Sequence, residues 1–268
     1  MGGVAAASVE GSDALFWNPA GLARLQPEDP SEIDVSYNNL LQTTYEGSAS
    51  YAIPLANGGV LGAGLLYFSQ APQTAYDNIG NSVGSFTPYD MAMNLSYAQH
   101  WKSLLIGGGI NIIRSQIDTA EALDAAINIG VQALHVTDIG NRPVDLGASI
   151  TNLGPPIQVG SVASALPTEI RGGFIWHLSN MLNAGMDIVL DSNQAPYLSA
   201  GLESVFKAND MSGSLRLGYN QSYARGINGL SGIAGGGGFD IGKIRIDYAW
   251  VPFGLLGVTN RLDITLRF

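Results

Sequence analysis

Three histidines, His100, His135 and His177, stand in a chain of 268 residues with 22 acidic side chains and no cysteine. Two chemistries would use them. A nucleophilic hydrolase needs a Ser beside a His base that a third group orients. A metal site needs the three imidazoles to converge. All three fall at predicted turns on separate strand pairs, two of them beside Trp101 and Trp176. That spacing assembles no triad, and amphipathic rings at a membrane headgroup level account for it better than a metal site does. The run GGGGF at 235–239 is not a phosphate loop, because no Lys-Ser/Thr follows and it lies between two strands instead of opening a helix. Glycine there suits a tight bend or close backbone approach. No enzyme activity, metal or cofactor is expected.

One further motif asks for an explanation. In DALFWNPAGLARL at 13–25, Asn18 is a good N-cap and Pro19 is pre-set for the first helical position, which predicts a helical turn over Ala20–Leu25. Gly21 weakens that turn, so packing must hold it in place.

The elements that would position these residues are strands. Only 13% of the chain is charged, about half the usual share, while 46% is hydrophobic. No stretch approaches the roughly 20 apolar residues of a transmembrane helix, so the apolar residues are dispersed, as in a transmembrane β-barrel. The net charge of −10 leaves no basic stripe for a nucleic-acid partner. The absence of cysteine removes disulfides and thiol chemistry. No secretory signal is visible in MGGVAAASVEG, which lacks a charged n-region.

Fourteen segments show period-two character: 33–39, 44–55, 59–69, 89–100, 103–115, 121–135, 143–152, 168–178, 181–191, 196–206, 211–221, 230–241, 243–252 and 258–268. In the last, Leu262, Ile264, Leu266 and Phe268 share one face, and Arg261, Asp263, Thr265 and Arg267 the other. An even number of strands suits a single-chain bacterial barrel. The connections alternate between short ones such as WK and SN and longer ones such as QAPQTAYDNIGNSVGSFTP, with TDIGNRP an exception among the short set. Short periplasmic turns and longer extracellular loops place both chain ends on the periplasmic side. The opposite face of the strands, the lumen, carries Asp34, Glu46, Asp90, Asp145, Arg171, Asp187, Glu203, Arg216, Arg245, Asp247, Arg261 and Asp263. Arg171 and Arg216 stand out as isolated cations that either hold a ligand carboxylate or pair with a segment inside the barrel.

MGG at 1–3 and SDALFWNPAGLA at 12–23 resemble the N-terminal block of the PorV/PorQ-like outer-membrane proteins, a branch of the fatty-acid-transporter (FadL-like) barrels. The resemblance continues through ITNLGPP at 150–156, LPTEIRGG at 166–173, LRLGYN at 215–220 and IDYAWVPFGLLGVTNRLDITLRF at 246–268. It implies an all-β fold, a transmembrane antiparallel barrel of fourteen strands over residues 33–268. Residues 1–32 would fold into the lumen as a hatch. Phe16, Trp17 and Leu22 would then pack on inward side chains and the Asn18-Pro19-Ala20-Gly21 turn would be held by the walls. The family's chains begin with a signal peptide and further residues, so residues ahead of Met1 are expected. The chain's final Phe268 fits the signal read by the outer-membrane assembly machinery, and equally an interfacial girdle. Outer-membrane lipid is the implied surrounding. Two roles stay open: a transporter for a hydrophobic or amphipathic small molecule, or a PorV-like interaction module holding an exported or envelope protein in type IX secretion.

Overall fold

A computed structural model describes every residue of the chain except Gln42, Ser161 and Asp210. Fourteen strands close into one antiparallel barrel. In chain order they are β1 (Glu32–Asn39), β2 (Tyr45–Pro54), β3 (Gly59–Ser69), β6 (Tyr89–Trp101), β7 (Leu104–Ile117), β8 (Ala120–Asp138), β9 (Pro143–Leu153), β12 (Glu169–His177), β13 (Leu182–Asp191), β14 (Gln194–Ala208), β15 (Met211–Asn220), β16 (Ile233–Ile241), β17 (Ile244–Pro252) and β18 (Val258–Arg267). Two loop hairpins complete the count, β4 (Gln73–Tyr76) with β5 (Ser82–Phe86) and β10 (Ile157–Val159) with β11 (Val162–Ser164). Closure is made by β1 on β18, in register from Glu32 opposite Arg267 to Asn39 opposite Asn260. Closing the sheet on itself leaves no edge strand unpaired.

The barrel is apolar outside and polar inside. On β13, Met186, Ile188 and Leu190 are exposed while Asp187 between them is fully buried. On β1, Ile33, Val35 and Tyr37 are exposed and Asp34 is buried. A polar solvent would select the reverse pattern; hydrocarbon around the wall selects this one. Among the described residues no helix is long and apolar enough to cross a membrane.

Most expected segments coincide with a strand within one or two residues. The larger differences have local causes. The strand expected from 230 begins at Ile233, because Gly232 adopts a left-handed φ of 78°. β8 runs on to Asp138 through a bulge where His135 is left-handed, and this shortens TDIGNRP to a connection over 139–142. All six connections on the side of the chain ends therefore span two to four residues; one of them, 209–210, ends on a residue outside those described. The other side is not uniformly long. Connections 118–119 and 192–193 have two residues each, and Asp118 turns tightly with φ 54°.

Residues 1–25 lie inside the lumen. The 3-10 turn Gly11–Asp13, the helical turn Ala14–Trp17 and the 3-10 segment Pro19–Arg24 bury Ala14, Leu15, Ala20, Leu22 and Ala23. They pack on Ala52, Val60, Ala98 and Leu105 of β2, β3, β6 and β7. Val4 and Ala7 pack on Ile175 of β12, and further wall strands hold the segment by polar contacts.

Candidate functional site

The polar contacts begin at Asp187, whose Oδ2 accepts hydrogen bonds from the backbone N–H of Ala5 (2.7 Å) and Ala6 (2.9 Å) and from Arg171 Nη1 (2.9 Å). Arg171 Nη1 also donates to the Gly3 carbonyl at 2.6 Å, and its other nitrogens donate to Glu169 Oε1. Its guanidinium lies 5.2 Å above the Trp17 ring. Of the two alternatives open for Arg171, the geometry gives the contact with the inner segment. Arg216 instead joins Glu203 at 2.7 Å and Asp247, within a network that also includes Arg245.

Asn18 does more than cap a turn. Its Oδ1 accepts from Ala20 N–H at 3.2 Å, while its Nδ2 donates to the carbonyls of Ala6 (2.6 Å) and Val131 (3.3 Å). The turn it caps is 3-10, with Pro19 in its first turn. Gln132 on β8 donates to the carbonyls of Ala6 and Val9, and Arg24 donates to Gln132 Oε1 and the Ala7 carbonyl. Phe16 lies against Gly64, where an added Cβ would sit 2.9 Å from its ring, and Leu22 is fully buried beside Gly62. Gly21 is buried against the Val9 carbonyl and Ala14. Across the lumen, Gly107 lies against the Pro19 backbone, Gly130 against Asn18 and Gly147 against the Ala6 carbonyl, each too close to admit a Cβ. These inward glycines are where the segment enters the wall, a role composition alone did not reveal.

GGGGF lies in β16 without a bend. Gly238 leaves room for the Asp247 carboxylate that binds Arg216 and Arg245. The histidines do not form one girdle. His177 turns to the lumen side, with Nε2 3.2 Å from Asp145 Oδ2 and Nδ1 2.8 Å from Asn183 Oδ1. His135 pairs with Asp138, and His100 approaches Gln26 from the lumen rim. Strand alternation sends Trp101 and Trp176 outward and their histidine neighbours inward. Phe268 is half-exposed at the barrel end, its ring stacked on Tyr51 with centroids 6.3 Å apart.

Sequence reasoning also missed an acidic group at the inner segment. Asp13, Asp34 and Asp263 bring carboxylate oxygens within 4.8 Å of one another. Asp13 lies outside the membrane-spanning strands. Its carboxyl is pushed up to about 7, first by burial and then by the Asp34 carboxylate.

Toward the long-loop end the lumen changes character. Buried Asn94, Asn111 and Asn128 and half-buried Asn152, on four successive strands, form an amide belt, with Asn94 to Asn111 at 2.6 Å and Asn111 to Asn152 at 2.7 Å. Above the belt is an apolar cavity of about 670 Å³ lined by Leu66, Phe68, Ala92, Ile113, Ile157 and Leu166. The β10–β11 hairpin and the chain just after it roof it, Ile157 and Leu166 packing on Ala126, Ile113 and Ala122. Leu66 is the next inward residue after Gly64, which Phe16 contacts, so the cavity lining begins one inward position beyond the inner segment. Drug-sized ligands occupy cavities of this volume and lining.

A closed fourteen-stranded barrel with chain folded into its lumen is the class these features define. No family model matches the chain, and no curated protein matches it. Solved structures do share its fold. It is similar to a deltaS2 mutant of the TodX monoaromatic hydrocarbon channel, with a TM-score of 0.67 and 13% identity over 100% of this chain and 97% of that one. It is similar to the Ralstonia pickettii toluene transporter TbuX (TM-score 0.61, 14% identity, 100% and 96% covered) and to a Pseudomonas aeruginosa FadL homologue (0.57, 9%, 99% and 96%). The barrel is therefore of the FadL-like type in fold.

Proposed function

We propose that this protein is an integral outer-membrane transporter for hydrophobic small molecules, with both chain ends periplasmic and residues 1–25 acting as a hatch. The observation that carries the proposal is the apolar cavity of about 670 Å³ on the long-loop side of the amide belt, lined by Leu66, Phe68, Ala92 and Ile113 of the inner wall. A solvated channel has no need of such a lining; a path for an apolar solute does. The toluene and hydrocarbon channels that share the fold add support. In this reading Phe16, Trp17, Asn18, Pro19, Ala20, Gly21 and Leu22 are the gating block, Arg171 positions it, and Arg216 stands at the lumen as the remaining candidate for a polar head. The test is entry of the neutral aromatic N-phenyl-1-naphthylamine into cells. The protein should fractionate with outer membranes and speed entry, and Ala92→Trp, which fills the cavity, should abolish the gain. Equal entry with and without the protein sinks the proposal.

A second reading, the PorV-like interaction module of type IX secretion and the PorV/PorQ branch with it, is favoured by apolar side chains on the long-loop end. Ile79 is 84% exposed and Leu255 85%. Changing both to Asp should release an exported protein from the cell surface while leaving aromatic entry intact.

A further inference from the structure

The cavity that serves the proposed transport carries a single charged side chain among its described lining residues, and that side chain is an acid. Asp90 on β6 faces the lumen, is exposed to the cavity, and has no hydrogen-bond or ion-pair partner among the described residues. It stands directly opposite Phe68 of β3 and Ser115 of β7, so its carboxylate borders the apolar lining itself. The inward positions around it repeat the sign. Glu46 is Phe68's partner on the other side, bonded to Asn38 alone among the described residues, and Asp124 stands opposite Ile113. Arg114, next to Ile113 and Ser115 on β7, lies on the outer face bonded to Glu121 at 2.8 Å. Arg171 is already engaged by Glu169, Asp187 and Gly3.

We infer that this cavity selects hydrophobic molecules bearing a cationic head, accepts neutral ones, and rejects carboxylate anions such as those of fatty acids. The inference rests on the transport reading for the cavity and adds its charge preference. An apolar tail would enter between Phe68, Ile113 and Leu166 with its ammonium at Asp90. A carboxylate in the same pose would meet Asp90, Glu46 and Asp124 with no cation in the described lining to compensate. A lumen mouth of one sign also concentrates the opposite charge before contact.

The experiment uses the whole barrel in nanodiscs of zwitterionic lipid, with empty discs as background. N-phenyl-1-naphthylamine serves as the fluorescent neutral probe, displaced by decylamine, decanol or decanoate. For a solvent-reached carboxylate, decylamine should displace about fivefold better than decanol, and decanol about fivefold better than decanoate. Asp90→Asn should bring decylamine to the level of decanol without altering decanol, and Asp90→Lys should reverse the order. Equal displacement by decylamine and decanoate in the wild type, or a change common to all three ligands in Asp90→Asn, overturns the charge preference and leaves the cavity reading standing. Failure of the probe to bind, or unchanged binding in Ala92→Trp, overturns the cavity reading itself.

Discussion

Replacing Asp187 with Asn should loosen the inner segment by an amount that the geometry fixes. Asp187 Oδ2 accepts from Arg171 and from the N–H groups of Ala5 and Ala6. The Arg171 bond joins two wall strands and survives when the segment leaves, so it cancels from the opening equilibrium. The two backbone bonds do not cancel. Exchanging a charged acceptor for a neutral one weakens each by about 1 kcal/mol, or about 2 kcal/mol together, which raises the open population roughly 30-fold. Asp187→Ala, which strands both buried N–H groups, should add a further ~1 kcal/mol or more. The assay is thiol labelling of Ser12→Cys, a near-isosteric change at a buried position in a chain that otherwise has no cysteine. When opening is fast relative to labelling, the labelling rate follows the open population. The heat-modifiable gel shift of the folded barrel must stay intact. Labelling no faster in Asp187→Asn than in the parent, with the barrel folded, would refute the pin. So would loss of the folded barrel, because the contact would then belong to the wall.

Three further outcomes follow from the same contacts. Gly147→Ala places a Cβ against the Ala6 carbonyl, a rigid backbone neighbour, so it should speed Ser12→Cys labelling by the equivalent of about 1–3 kcal/mol, while Gly108→Ala, with its nearest neighbour at 3.6 Å, should leave the rate unchanged. Asp13, raised by burial beside Asp34 and facing Glu32, Arg245, Asp247 and Asp263, favours the closed segment in its protonated form. That contribution is complete below the ordinary carboxylate pKa and is lost as pH rises through about 7, so channel openings in planar bilayers should increase from pH 6 to pH 8 and become flat across that range in Asp13→Asn. Deleting Phe268 removes both the Tyr51 stack and the end of the assembly pattern, and should reduce the folded barrel recovered in outer membranes; Phe268→Tyr, which keeps the ring, should restore it, and unchanged recovery in the deletion removes the assembly role.

The strands were legible because a barrel wall obeys one rule at every position. Each side chain faces either hydrocarbon or lumen, so Leu262, Ile264 and Leu266 announce β18 without reference to any other part of the chain. The inner segment obeys no period, and what holds it is scattered. Asn18 could be read as a cap because capping is local, reaching Ala20 two residues on. Its bonds to Ala6 and Val131 could not, since the second spans 113 residues. The same limit hid Gly107, Gly130 and Gly147: in sequence they are glycines in strands, and only the folded lumen shows the backbone that lies against each. The histidines failed for a related reason. All three lie within strands, near the side of the chain ends, and one residue of strand register separates Trp176, outside, from His177, bonded to Asp145 inside.

The cavity sits at the boundary between these two kinds of information. Leu66, Phe68, Ala92 and Ile113 break the polar rule for inward positions, and each break alone reads as noise in an alternating pattern. They become a site because β3, β6 and β7 are neighbours, which sets Phe68 opposite Asp90 and Ala92 opposite Ile113. Apolar residues on the inner face of a membrane barrel gain nothing from lipid, and an empty apolar cavity gives up dispersion contacts on every side. The β10–β11 hairpin and the chain after it cover only the top, through Ile157 and Leu166. A lining of this kind, between the linked amides and the unpaired carboxylate of Asp90, is what the proposed passage of a molecule apolar along its length and charged only at the end that meets Asp90 calls for.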